Sequence, residues 1–274
     1  MSTIRNGSVS LHVEDTGGDG RPVVLVHGWP LSGASWGEQV PALTDAGYRV
    51  VTYDRRGFGE SDKPGDASGY DYDTLTSDLH AVMTGLDLHD VTLVGFSMGG
   101  GEVARYLGTH GGDRVHSAVF AAAIPPCLAL DDTHPDGALD DATVESMQAG
   151  LRADPPGFLD GFTRSFFTAD GEMRVTGEQQ QEALRLALQA DVHAASECIR
   201  AWTTDFTADL ARVTVPTLVI HGDRDGIVPL EKSGQRTQEQ VAGSELHVVE
   251  GGPHGINTSH AEEFNRELLA FLER

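Results

Sequence analysis

Short apolar runs recur along the chain, each closed by a turn rich in glycine, proline or charged residues, with longer amphipathic stretches between them. Val9-Ser10-Leu11-His12-Val13-Glu14 alternates and predicts an outer strand, turned back by residues 15–20. Residues 22–26, 91–96 and 215–221 are continuously apolar, which predicts strands buried on both faces of a mainly parallel sheet. Residues 48–53, 115–121 and 245–249 add further strands. Helical spacing covers residues 35–46, 72–88, 230–241 and 260–272. In 72–88 the apolar stripe is Leu75, Leu79, Val82, Met83 and Leu86, with Thr74 as the expected cap. The alternation of strand and helix lapses from Cys127 to Thr204, where helical, loop-rich sequence predicts a lid inserted between two strands. The predicted division is a core of residues 1–125 and 206–274 with a helical cap of 126–205. Phe158, Phe162, Phe166, Phe167 and Trp202 are the candidate substrate wall on its inner face.

Composition narrows what such a chain does. A net charge of −23, with Lys63 and Lys232 the only lysines, excludes the clustered cations that nucleic-acid phosphates require and disfavours anionic membranes. The amino terminus has no apolar signal core and no run reaches the length of a membrane span, so a soluble, cytoplasmic protein is expected. Cys127 and Cys198 are the only cysteines and fall in unlike contexts, which predicts buried free thiols. No metal-ligand spacing is visible.

The chemistry centres on Gly95-Phe96-Ser97-Met98-Gly99, a G-x-S-x-G pattern between an apolar β-branched run and the helix-like residues 101–107. A serine in so tight a strand-to-helix turn stands clear of the sheet, and the flanking glycines keep Cβ atoms out of the turn. Its hydroxyl needs a base, and the base an acid to hold its tautomer. Among twelve histidines His254 is the candidate base, in a Gly/Pro-rich turn just past a buried strand. His27, His221 and His247 sit within or at the ends of strands and read as packed or locally hydrogen-bonded, and His260 as a helix-start residue. The acid is Asp223 or Asp225; Asp223 is placed to brace its loop, while Asp225 has the reach. The amides of Met98, at the start of a helix, and Trp29, after His27-Gly28, are candidate oxyanion donors. Asp54 and Arg55 read as structural.

Together with residues 27–33, 53–59, 93–106, 221–225 and 253–255, these motifs resemble the cofactor-free (non-haem) chloroperoxidases and arylesterases of the α/β-hydrolase fold. The resemblance covers nearly the whole chain and is weakest in the lid. It implies an eight-stranded, mostly parallel sheet flanked by helices, with the lid after the sixth strand. Ser97 would be nucleophile, Asp225 acid and His254 base, with Trp29 and Met98 amides as the oxyanion hole. It also implies hydrolysis of small esters and formation of peracids from a carboxylic acid and hydrogen peroxide, with no cofactor, no metal and self-association. Pro30, after the oxyanion-hole aromatic, resembles members with perhydrolase activity. Lactonases, amidases and carbon–carbon bond hydrolases share the same three residues, and a non-catalytic small-molecule sensor is the competing class.

Overall fold

The computed structural model describes residues 2–65 and 67–274; Met1 and Asp66 lie outside it. In chain order the strands are β1 (Ser2–Asn6), β2 (Val9–Asp15), β3 (Pro22–Val26), β4 (Arg49–Tyr53), β5 (Val91–Phe96), β6 (Val115–Ala121), β7 (Thr168–Ala169), β8 (Glu172–Met173), β9 (Thr217–Gly222) and β10 (Glu245–Val249). Eight of them form one sheet in the order β1-β2-β4-β3-β5-β6-β9-β10, and β7 pairs with β8 alone. β1 and β2 are antiparallel, as are β2 and β4, and every later pairing in the sheet is parallel. Central β5 and β9 are buried at every residue, whereas β2 alternates, because only the central strands are covered on both faces.

The helices are α1 (Gln39–Asp45), α2 (Tyr72–Gly85), α3 (Met98–His110), α4 (Asp141–Ala153), α5 (Pro155–Phe166), α6 (Gly177–Ala187), α7 (Val192–Ala201), α8 (Thr207–Leu210), α9 (Gly234–Gln240), α10 (Ile256–Ser259) and α11 (Ala261–Leu272). Around the sheet, α1 packs with α11, and α3 packs with α2 and α8. Helices α4 to α7 all lie between β6 and β9 in sequence; α4 packs on α5 and α7, and α5 on α6. No helix among the described residues is long and apolar enough to cross a membrane.

Three local expectations need correction, and one strand was not anticipated. The helix expected over 35–46 is a 3₁₀ turn, Gly33–Trp36, followed by α1. Pro41 explains the break, since its ring clashes with the carbonyl four residues earlier and is tolerated only in a helix's first turn. The helix expected over 230–241 breaks at Ser233 (φ −138°, ψ −79°) before α9. That break brings Gly234 against the His221 ring, where a Cβ would stand 2.6 Å from Nδ1. Helix α2 is capped by Asp71, whose carboxylate accepts the Thr74 N–H at 2.9 Å, rather than by Thr74, and it ends at Gly85. Strand β1 carries no apolar signal because it is largely exposed; its ladder with β2 holds it.

The charged residues after β4 are structural. Arg55 lies in the core, ion-paired with Glu102 of α3 and donating from Nη2 to the His27 carbonyl at 2.7 Å. The Tyr53 hydroxyl donates to Glu102 at 2.6 Å. Burial alone would lower the Arg55 guanidinium, but the Glu102 charge and hydrogen bond, with the neighbouring Cys198 and Tyr53, together outweigh it and keep Arg55 ionised. Removing one partner of such a pair strands a buried charge. Glu102→Gln is therefore expected to destabilise the fold by about 3–5 kcal/mol, read as a lowered denaturant midpoint at unchanged slope.

Candidate active site

Strand β5 delivers Ser97 to the carboxyl edge of the sheet, where open α/β sheets bind ligands. Ser97 has φ 52° and ψ −119°, a conformation that costs a non-glycine residue about 1–3 kcal/mol and marks functional turns. The surrounding ladder imposes it: the Ser97 N–H donates to Ala121 O at 2.9 Å, and its carbonyl accepts from Gly100 and Ile124 at 3.0 and 3.2 Å. The glycines are required by close approach. A Cβ on Gly95 would lie 2.6 Å from Gly99 O, and one on Gly99 2.4 Å from Val26 O.

The loops after β9 and β10 bring the other two residues to this turn. His254 Nε2 is 2.9 Å from Ser97 Oγ, and His254 Nδ1 is 2.7 Å from Asp225 Oδ2. The other Asp225 oxygen accepts the N–H groups of Ile227 and Val228 at 2.9 and 2.8 Å. Burial pushes the Asp225 carboxyl up, but the His254 charge and hydrogen bonds from His221 and His254 outweigh it and hold the carboxyl well below the usual range. Asp223, the alternative acid, instead accepts the Gly251 N–H at 2.7 Å and braces the loop before His254.

Three of the remaining histidines named from sequence are engaged elsewhere. His27 is kept neutral by burial and by the Arg55 charge; its Nε2 accepts the Arg55 N–H at 2.9 Å and its Nδ1 donates to Gly28 O at 2.9 Å. His247 pairs with Glu263 at 2.7 Å, and His260 precedes α11. His221, read from sequence only as a strand-end residue, stands behind Asp225: its Nε2 donates to Val228 O at 2.8 Å and lies 3.3 Å from Asp225 Oδ2.

The backbone N–H groups of Trp29 and Met98 donate to no protein acceptor among the described residues. Met98 opens α3, whose positive end faces the serine turn. The Trp29 side chain is fixed by Nε1 donating to Ala195 O at 3.0 Å and by edge contacts with Phe162 and Trp202.

A largely apolar cavity of about 220 Å³ lies against Ser97. Of the residues singled out from sequence, Trp29, Phe162 and Trp202 line it. Four others, Phe158, Pro30, Phe166 and Phe167, do not. Phe158 packs edge-on against the Trp29 ring at 6.4 Å, and Pro30 is buried in the loop beyond Trp29. Phe166 stacks its edge on the His254 ring at 4.9 Å and 89°, with Phe167 packed behind it. The wall is instead completed by aliphatic residues that sequence reasoning missed, among them Leu128, Leu139, Met147, Ile227 and Val228. Ile227 and Val228 carried a signal, being apolar residues within a charged turn just after Asp225. Leu128 and Leu139 carried none, since a short backbone bridge between Ala129 and Leu139 folds that loop inward.

Comparison with known proteins agrees over the full length. The chain matches the α/β-hydrolase fold family over residues 21–261. It is 42% identical over 278 residues to a non-heme chloroperoxidase of Kitasatospora aureofaciens, spanning 100% of this chain and 99% of the relative. It is 35% identical over 280 residues to a bifunctional esterase/perhydrolase of Acinetobacter calcoaceticus, spanning 98% of both. A solved bromoperoxidase from Bacillus anthracis superimposes with a TM-score of 0.96 at 50% identity, covering 100% of this chain and 99% of that one. Since the likeness runs through the α4–α7 segment as well as the sheet, the chain belongs to the α/β-hydrolase fold family, among its non-haem chloroperoxidases and esterase/perhydrolases.

Proposed function

We propose that the protein is a serine esterase that forms an acyl-enzyme at Ser97 and passes the acyl group to water or to hydrogen peroxide. The single observation that carries this reading is the hydrogen-bonded series from Ser97 through His254 to Asp225, opening on an apolar cavity. His254 Nε2 takes the Ser97 proton as Oγ attacks the ester carbonyl, and Asp225 stabilises the imidazolium that results. The Trp29 and Met98 amides, free to donate, face the developing oxyanion, a contribution of about 3 kcal/mol per donor. His254 then protonates the departing alcohol. Attack by water on the acyl-enzyme yields the carboxylic acid, and attack by hydrogen peroxide yields the peracid; in each case His254 accepts the proton and returns it to Ser97. A released peracid oxidises halide in solution and is itself reduced to the acid.

A cavity of roughly 150 Å³ accommodates benzene, so the space here supports small aryl or short alkyl acyl groups. In this reading residues 126–205 form the lid. Stoichiometric labelling of Ser97 by an organophosphonate, with loss of p-nitrophenyl acetate turnover in step, tests the proposal. Labelling by a protein that turns over no ester would favour the sensor. Self-association and a cytoplasmic setting belong to the same proposal, the former tested by light scattering.

Perhydrolysis rests on the likeness to the bifunctional relative and on Pro30. The Trp29 carbonyl, held by the rigid proline ring that follows it, accepts no hydrogen bond among the described residues and is free to receive one from peroxide. Pro30→Leu is expected to lower the ratio of peracid formation to ester hydrolysis; an unchanged ratio would remove Pro30 from the mechanism.

A further inference from the structure

Cys127 and Asp205 stand at the two ends of the segment carrying α4 to α7. The chain is already tied there, the Phe206 N–H donating to the Pro126 carbonyl at 2.8 Å. His134 reaches the same place from the loop before α4. One ligand-capable atom from each residue, the Cys127 sulfur, a His134 ring nitrogen and an Asp205 carboxylate oxygen, lies within 4.8 Å of the others. Sequence spacing could not reveal the group, because its members are brought together only when both ends of the segment meet.

Thiolate, imidazole and carboxylate form a donor set suited to zinc and its borderline neighbours, whereas calcium and magnesium take oxygen ligands. The orientation of His134 points the same way. Its Nδ1 faces Asp131 Oδ1 at 3.0 Å, which leaves Nε2 directed towards Asp205 Oδ2 at 3.4 Å. Asp131 is itself held, accepting the N–H groups of Thr133 and His134, each at 2.8 Å. A carboxylate on the outer nitrogen is what fixes the tautomer and orientation of a metal-binding histidine. The Cys127 side chain is buried and Asp205 exposed, so the group has a sheltered soft ligand and an open side towards solvent.

We propose that Cys127, His134 and Asp205 form a binding site for a zinc-class divalent cation, with Asp131 as the outer carboxylate, that clasps the two ends of the α4–α7 segment. Cys127 enters as thiolate and its proton leaves to solvent; water occupies the position the protein leaves open. None of the ligands belongs to the Ser97 series. Cys127 is nevertheless the neighbour of Leu128 on the cavity wall, so occupancy of the clasp stiffens one side of the acyl site.

Cobalt(II) titration of the full chain tests the site without reference to activity. One equivalent is expected to produce a thiolate-to-cobalt charge-transfer band in the near ultraviolet and the visible bands of four-coordinate cobalt, both bleached by one equivalent of zinc. Cys127→Ser should abolish the charge-transfer band. Asp131→Asn, which removes the outer carboxylate, should weaken binding by roughly 10–100-fold, and His134→Asn, which removes a ligand, by more. Absence of the band in the unaltered protein overturns the proposal. So does a band that survives Cys127→Ser, or an affinity indifferent to His134→Asn and Asp131→Asn.

Discussion

Ser97→Ala is expected to lower kcat for p-nitrophenyl acetate by about 10⁶-fold, with KM little changed. The alcohol is the only group removed, and His254 Nε2, 2.9 Å away, is left with no proton to take. The cavity walls and both free amides remain, so substrate still binds and a residual rate above that in water persists. The peracid assay carries the sharper information. Both products come from one acyl-enzyme, so peracid formation from acetate and peroxide should fall by the same factor. Peracid formation that survived while hydrolysis was lost would remove the shared intermediate from the mechanism.

Asp225→Asn is expected to cost about 10⁴-fold in kcat, and the local geometry says why. The amides of Ile227 and Val228 both donate to Asp225 Oδ1, at 2.9 and 2.8 Å. An asparagine must place its oxygen there, which turns its NH₂ group towards His254 Nδ1. The imidazole then carries its proton on Nε2 and cannot accept one from Ser97. The rate and the organophosphonate labelling of Ser97 should fall together while the fold is retained. The pH dependence of stability has a definite sign. The folded Asp225 carboxyl titrates below its unfolded value, so it contributes stability above the ordinary carboxylate range that is lost as pH falls through the lowered value. Acid unfolding of Asp225→Asn should lack that contribution.

Periodicity made the sheet legible wherever both faces are covered: β3, β5 and β9 were readable as continuous apolar runs, and β1, largely exposed, was not. Helix ends were less legible, because Pro41 and the approach of Gly234 to His221 act through steric contacts that a 3.6-residue pattern does not register. At the candidate site, residues in tight turns at strand ends could be read singly, since the turn itself has a sequence signature. Ser97, Asp225 and His254 are of that kind. The cavity wall was hidden, as it depends on which side chains meet across the α4–α7 segment, and so was the His221 contact with Asp225, which depends on how the turn after β9 folds back. Phe166 shows the difficulty well: its helical spacing marks it as inward-facing, and only packing tells that it faces the imidazole rather than substrate.

Phe166 also holds the histidine loop by its backbone, its carbonyl accepting the Gly255 N–H at 2.8 Å. The far end of α5 and the His254 loop are thus tied by a ring contact and a backbone hydrogen bond at once. Acyl preference is then free to diverge at Leu139 and Met147 on the cavity wall, while sequence change at Phe166 is expected to lower turnover. Libraries for new substrates should be built on the first pair and leave the second position alone.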